Sequence, residues 1–481
     1  MLREDRGTST RMVQLGRGVV LLVIGAVVAL VALIAAVAAF TLGSDDPPVP
    51  VAITIGSWDT LVQFVRPPWD LILAALFSMV FVAAGALAFE GAALMRTFAN
   101  PERQALQTTL PRWTRPSERG RHPVRITVLI PAHDEAASLP VTLAALAEQT
   151  RQPDRVIVVA DNCTDATADV ARSFGHEVFE TVGNTHRKGG ALNQALAAHL
   201  PEMGPDDAVM VMDADTALGP LYLETAADLL DDDLDLEAVG GVFFGEPGHG
   251  MVGMFQRNEY RRYSQEISRR RGRVFVLTGT ASVFRASALA MVAAARGRYI
   301  PGKPGDVYDT AALTEDNEIT IGLKSLGATM ISPVDCMVET ELMPDWRHLW
   351  RQRLRWQRGA LENIAAYGFT TGTMRYWGQQ IGIAYGTVAL VSYLLLMTIT
   401  LLAIDQWVWF PFWIVVGLVF AAERVLTVWR EGWGSRLLAA LILPELLYDL
   451  FLQMVFVRAL VDILRRRRQG WGHVRRTEAA A

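Results

Sequence analysis

The sequence predicts a mostly parallel α/β domain inserted between N-terminal and C-terminal membrane-spanning helices. Three observations carry that expectation. Hydrophobic residues make up 51% of the chain, and they concentrate at its two ends. Between about Arg121 and Pro344, short apolar runs alternate with helical periodicity, the pattern of a sheet covered by helices. Each of three such runs ends at once in polar residues, where ligands bind in open α/β sheets.

The apolar ends come first. Val19–Leu42 carries no charge and Leu71–Phe89 repeats the pattern; each is long enough to cross a hydrocarbon core of ~30 Å as a helix. Residues 1–18 thus read as an N-terminal arm, 19–42 and 69–98 as transmembrane helices 1 and 2, and 43–68 as the loop between them. Residues 377–404 and 407–429 read as helices 3 and 4, the latter opening on Trp407, Trp409 and Trp413 as interfacial aromatics do. Val19–Leu42 is too long for a signal peptide and leads into no A-x-A cleavage pattern.

Charge in the short loops sets the orientation. Arg3, Arg6, Arg11 and Arg17 lie in the arm, and Arg96, Arg103, Arg112, Arg115, Arg119 and Arg121 follow helix 2. The loop between has Asp45, Asp46 and Asp59 against Arg66. Basic loops stay inside, so the arm and the central domain are expected in the cytoplasm of a multi-pass plasma (inner) membrane protein. Residues 437–464 are apolar, but a span there would put Arg465–Arg468 outside. Pro444 and the stripe Glu445, Asp449, Gln453 favour an interfacial or re-entrant helix, an ordinary fifth span being the alternative. Residues 465–481 form a basic tail. The net charge of −5 gives no nucleic-acid footprint, and Cys163 and Cys336 make no disulfide framework or metal-ligand spacing.

Within the central domain, 121–345, Ile126–Ile130, Val156–Val159 and Val209–Met212 read as strands and Leu139–Gln149 as a helix. The strands run into His133-Asp134-Glu135, Asp161-Asn162 and Asp213-Ala214-Asp215. Alternate carboxylates past a strand suit a hard divalent cation. Asp231-x-Asp233 and Asp233-x-Asp235 match the same triplet but follow no strand and read as solvated surface. Thr314-Glu315-Asp316 makes a good helix start by itself. Residues 346–368 form an amphipathic interface helix in which Gln352, Arg355 and Trp356 share a face. Lys188-Gly189-Gly190 before Ala191-Leu192-Asn193 puts a cation and glycines at a helix start, as phosphate sites do. Cys163 reads as a small filler and His133 as a loop residue.

Taken in order, Pro131-Ala132-His133-Asp134-Glu135, Asp161-Asn162, Lys188-Gly189, Asp213-x-Asp215, Thr314-Glu315-Asp316 and Gln352-Arg353-x-Arg355-Trp356 resemble glycosyltransferase family 2. The likeness is to its membrane-embedded processive synthases of cellulose, chitin, hyaluronan and poly-N-acetylglucosamine, over about Arg125 to Gly359. It implies a GT-A (Rossmann-like) fold and a UDP-sugar donor with Mg²⁺ or Mn²⁺. Carried over residue by residue, Glu135, Asp161 and Lys188 contact the nucleotide. Asp213 and Asp215 hold the UDP–metal unit, Asp215 more directly. Arg353 and Arg355 face the diphosphate, and Asp316 is the base that deprotonates the acceptor in one inverting displacement. Trp356 stacks on the acceptor sugar, with Gln352, Glu315 and Thr278-Gly279-Thr280 beside it. Phe243-Phe244-Gly245 and Thr278-Gly279-Thr280, the latter leading to Phe284-Arg285, resemble acceptor-site segments, and Trp471-Gly472-His473-Val474-Arg475 resembles a gating segment, with Trp471 and Arg475 as its functional positions.

The resemblance implies a synthase that extends a β-linked polysaccharide and passes it through its own spans, with a lipid bilayer as partner and room for an accessory export subunit. Single-sugar transfer to a polyprenyl-phosphate or other lipid is the alternative acceptor chemistry. A non-catalytic sugar-binding subunit is the reading from a different class; intact Asp213, Asp215, Asp316 and Trp356 speak against it.

Overall fold

The computed structural model describes residues 50–55, 58–63, 123–269, 272, 274–403, 418, 421–422, 424–429 and 432–465. The chain divides into two compact units, one of residues 1–98 with 374–457 and one of residues 99–373 with 458–481. The expected spans 19–42 and 69–98, the gating positions Trp471 and Arg475, and most of 407–429 lie outside the described residues.

In the first unit, the loop expected over 43–68 contains an antiparallel pair, β1 (Pro50–Ile55) and β2 (Trp58–Gln63), in register from Pro50↔Gln63 to Ile55↔Trp58. Val51, Ile53, Thr54 and Thr60 supply the β-branched residues that suit a pleated backbone.

The second unit holds the α/β domain. In chain order it comprises β3 (Ile126–Ala132), α1 (Leu139–Ala147), β4 (Arg155–Ala160), α2 (Thr167–Ser173), β5 (Glu177–Glu180), α3 (Arg187–His199), β6 (Ala208–Met212) and β7 (Ala217–Leu218). There follow α4 (Tyr222–Asp232), β8 (Leu236–Gly240), β9 (Val242–Gly245), α5 (Gly250–Arg269), β10 (Ala281–Arg285) and α6 (Ala286–Ala295). The unit continues with α7 (Glu315–Ser325), β11 (Thr329–Ile331), β12 (Met337–Thr340) and α8 (Trp346–Tyr367).

Seven strands form one sheet in the order β11-β8-β10-β6-β3-β4-β5. All its pairings are parallel except those of β10, which runs antiparallel to both β6 and β8. The sheet is therefore mixed, where the apolar runs alone suggest parallel strands. Period-2 alternation divides the core cleanly. Leu129, Ile157, Val159, Val209 and Val211 face one cluster with Leu192, Leu196, Leu289, Ile319 and Leu323 of α3, α6 and α7. Val128, Ile130, Val158, Met210 and Met212 face the other, with Leu139, Leu143, Leu223 and Leu230 of α1 and α4. Both faces are covered, which is why these strands read as continuous apolar runs; each fully buried Leu or Ile contributes roughly 1.5–3 kcal/mol.

A second, three-stranded sheet, β7-β12-β9, sits beyond the end of β8. Gly240 and Gly241 carry the chain across, since a Cβ on Gly241 would stand 2.5 Å from Val338 Cγ2 and one on Gly240 2.5 Å from Ser332 Oγ. Arg285, at the opposite end of β10 from the loop after β6, donates to the carbonyls of Leu230, Asp233 and Leu236. It ties down the end of α4.

Further helices among the described residues include α9 (Met374–Ala403), α10 (Trp433–Ala440) and α11 (Ile442–Leu464). Among the described residues no single helix is long and apolar enough to cross a membrane, although α10 with α11, bent by 79°, passes that test as a pair. The bend falls at Leu441, whose backbone is extended (φ −82°, ψ 95°), and Pro444 occupies the first turn of α11, where its missing N–H costs nothing. Within the stripe on α11, Glu445 is buried and Asp449 is partly exposed; Arg424 donates to Glu445 Oε2 at 3.0 Å and to Asp449 Oδ2 at 3.3 Å. Thr387 donates to Gln453 Oε1.

Candidate active site

The site forms where the carboxyl ends of β3, β4 and β6 meet the start of α7. Lys188, on the first turn of α3, is its hub. Its Nζ donates to Asp213 Oδ1 at 2.6 Å and to the Gly279 carbonyl at 3.2 Å, and lies 3.6 Å from Glu315 Oε1. Burial works against its charge, but Asp213 and Glu315 outweigh that and hold it firmly protonated. One cation thus joins the strand-end aspartate to the Thr314-Glu315-Asp316 turn.

Asp215 is half-buried. Burial, with Asp213, Glu135 and Glu341 around it, pushes its carboxyl up to about 7. Crowded carboxylates favour a bound cation, and all-oxygen donors on alternate residues suit Mg²⁺ or Mn²⁺. Asp213 and Asp215 therefore fit the expected cation. Glu341 was not foreseen. It stands one residue past β12, the same strand-end position that identified the other acids.

Asp316 occupies the second position of α7. Its Oδ1 accepts the Asn317 N–H at 2.7 Å. Burial and Glu315 raise its pKa to about 6, while that backbone bond, Lys188 and Arg355 pull the other way. The turn is a helix start, as its residues suggest, and a helix N-terminus favours negative charge on Asp316. Gly279 packs against it: a Cβ there would lie 3.0 Å from Asp316 Oδ2. Thr280 belongs to the same wall, its carbonyl accepting the Asp213 N–H at 2.9 Å. Tyr308 lines the cleft with Lys188, Glu315 and Asp316, held by Asn193, whose Oδ1 accepts the N–H groups of Val307 and Tyr308 at 3.0 and 2.8 Å. Sequence reasoning missed Tyr308, which follows no strand and carries no motif.

On the opposite side, Asp161 is buried at the end of β4, its Oδ1 accepting from Thr181, Asn184 and Asn162 at 2.7, 2.8 and 3.0 Å. Glu135 accepts from Ser138 through its carboxylate, and its N–H donates to Thr167 Oγ1 at 2.8 Å. His133 Nδ1 lies 2.6 Å from the Asp161 carbonyl, a loop contact as expected. Cys163 is also as expected: burial raises its thiol pKa, which makes a poor nucleophile. Asp134, Cys163 and Asp165 have their ligand atoms within 4.8 Å of one another. Asp134 is occupied by the N–H groups of Thr164 and Asp165, and Asp165 by that of Thr167, so these carboxylates organise the loop.

On α8, Arg355 acts on the charge of Asp316, whereas Arg353 is placed differently. It is 5% exposed and ion-paired to Glu259 at 2.9 Å; it donates to Gln352 Oε1 at 2.7 Å and lies 4.3 Å from the Trp356 ring centroid.

The profile of the glycosyltransferase-like family 2 matches residues 122–359. A probable glycosyltransferase of Bacillus subtilis, YdaM, is 27% identical over 265 residues, covering 53% of this chain and 58% of the relative. Poly-beta-1,6-N-acetyl-D-glucosamine synthase of Staphylococcus aureus strain COL is 24% identical over 255 residues, covering 51% and 57%. The chain thus spans little more than half the length of these curated relatives. Among solved structures, a mannosyltransferase of Pyrobaculum calidifontis in complex with GDP-Man and Mn²⁺ aligns with a TM-score of 0.48 at 17% identity, covering 80% of this chain and 99% of that one. Glucosyl-3-phosphoglycerate synthase of Mycobacterium tuberculosis with Mn²⁺ and UDP aligns at 0.32 and 18%, covering 51% and 81%.

Proposed function

This chain belongs to the family 2 glycosyltransferases, and from that premise we propose that its α/β domain takes a nucleotide-sugar donor, a UDP-sugar, and extends a β-linked polysaccharide from it at a membrane. The observation that carries the reading is the Lys188 bridge, which draws Asp213 and the Glu315–Asp316 turn to one point.

In the proposed reaction the acceptor hydroxyl oxygen bonds to the anomeric carbon, and its proton passes to Asp316. The bond from that carbon to the diphosphate oxygen breaks, its electron pair leaves with the nucleotide, and the anomeric configuration inverts. With its carboxyl at about 6, Asp316 is mostly ionised at neutral pH and close enough in pKa to take a proton in the transition state. Asp213 and Asp215 would hold a Mg²⁺ or Mn²⁺, which supplies charge neutralisation at the leaving diphosphate. Arg355 adds positive potential on the same side, and Glu135 and Asp161 would bind the nucleoside from the ends of β3 and β4.

Trp356 on α8 supports a saccharide acceptor, since an aromatic face gives a sugar ring an apolar platform. The relative that makes poly-beta-1,6-N-acetyl-D-glucosamine supports polymer synthesis. The apolar segments at both ends support a multi-pass inner-membrane location with the catalytic domain in the cytoplasm, and passage of the product through the chain's own spans. Sizing the radiolabelled product of the detergent-purified chain tests the proposal. Long saccharide chains are expected from the first turnovers; extractable single-sugar lipid adducts alone would replace it with single transfer to a lipid acceptor.

A further inference from the structure

Arg353 stands inside the Gln352–Trp356 segment, where a phosphate-facing role is the natural first reading of a basic residue. Its surroundings point elsewhere. The side chain is 5% exposed and its Nη2 meets Glu259 Oε2 of α5 at 2.9 Å. Nη1 donates to Gln352 Oε1 at 2.7 Å, and the guanidinium lies 4.3 Å from the Trp356 ring centroid and 5.6 Å from that of Tyr260. Tyr260 in turn packs edge-on against Phe243 of β9, with centroids 4.7 Å apart.

We propose that Arg353 and Glu259 are positioning residues that fix Trp356 and Gln352 as an acceptor platform, leaving the diphosphate to Arg355. The inference rests on the acceptor role given above to Trp356. A planar guanidinium is well suited to such positioning, because one edge is committed to the carboxylate and the amide and its face is then presented to the indole in a single orientation. Glu259 anchors the fork to α5, and Tyr260, its neighbour, links the same helix to β9. The arrangement joins the Phe243-Phe244-Gly245 segment, α5 and the α8 platform through side chains far apart in sequence. Lysine could keep the charge of Arg353 but not two directed bonds and a flat face.

The test uses the full-length chain in detergent with Arg353→Met, Arg353→Lys, Glu259→Gln and Trp356→Ala. UDP affinity with Mn²⁺ is measured by calorimetry, and UDP release from UDP-N-acetylglucosamine is followed against a β-1,6-linked N-acetylglucosamine oligomer. The expected result for Arg353→Met and Glu259→Gln is UDP affinity within about twofold of wild type with the acceptor KM raised about tenfold. A tenfold loss of UDP affinity with an unchanged acceptor KM would overturn the inference and return Arg353 to the diphosphate. Arg353→Lys, which keeps the buried charge, should reproduce the acceptor defect with less effect on folding. Should Trp356→Ala leave the acceptor KM unchanged, the acceptor reading of Trp356 fails separately. The clamp is then read from thermal midpoints of Arg353→Met, Trp356→Ala and the double variant: non-additive shifts support it, and additive shifts refute it.

Discussion

Replacing Gly279 with alanine should slow turnover without weakening nucleotide binding. The new Cβ would lie 3.0 Å from Asp316 Oδ2 and 3.2 Å from its Cβ and Cγ, where ordinary contacts between non-bonded carbons begin near 3.5 Å. Neither side yields easily. Lys188 Nζ holds the Gly279 carbonyl at 3.2 Å, and the Asn317 N–H holds Asp316 Oδ1 at 2.7 Å. The carboxylate must therefore retreat by roughly 0.5 Å. A misplacement of about 1 Å costs about 100-fold in rate, so half that distance should lower kcat about tenfold, and the overpacking itself should cost about 1–3 kcal/mol of stability. Steady-state release of nucleotide gives kcat, and calorimetry gives nucleotide affinity, expected within about twofold of wild type. A folded Gly279→Ala protein with wild-type kcat would refute the placement of Asp316 against this wall. So would a variant whose defect lay wholly in nucleotide affinity.

Three further outcomes are expected. Because Asp316 must be unprotonated to act and its carboxyl sits at about 6, kcat should fall as pH drops through 6, from about 90% of the base ionised at pH 7 to about 10% at pH 5. Lys188→Met should move that acid limb upward, because Lys188 lowers the pKa of Asp316; a limb that stays in place counts against the assignment. Glu318→Gln should lower the thermal midpoint sharply, since Arg296 and Glu318 are 1% and 2% exposed and paired through both guanidinium nitrogens, and an orphaned buried charge costs about 3–5 kcal/mol.

Much of the domain's frame is legible in the sequence because its central strands are buried on both faces and so appear as unbroken apolar runs. Ile126–Ile130, Val156–Val159 and Val209–Met212 are β3, β4 and β6 to within two residues at each end. The antiparallel insertion of β10 is not legible, because strand direction is settled by partners and Ala281–Arg285 carries no directional signal. The second sheet is hidden for another reason: its strands run two to four residues, too short to establish a period. At the site, the ordered motifs contain Lys188, Asp213, Glu315 and Asp316, which the structure brings together. They are silent on Tyr308 and Glu341, and they cannot show where the Arg353 guanidinium points, because its partner Glu259 lies 94 positions away. The partner of Glu445 in the polar stripe of α11 is hidden in the same way, since Arg424 lies 21 positions away.

The proposed reaction turns on Asp316 taking the acceptor proton beside a nucleotide held by the Lys188–Asp213–Asp215 cluster. Its most direct test compares wild type with Asp316→Asn for nucleotide release from the UDP-sugar donor and for UDP affinity in the presence of Mn²⁺. Release from Asp316→Asn is expected to fall by at least about 100-fold while UDP binds as tightly as before. Turnover retained at the wild-type rate by a folded Asp316→Asn protein would contradict it.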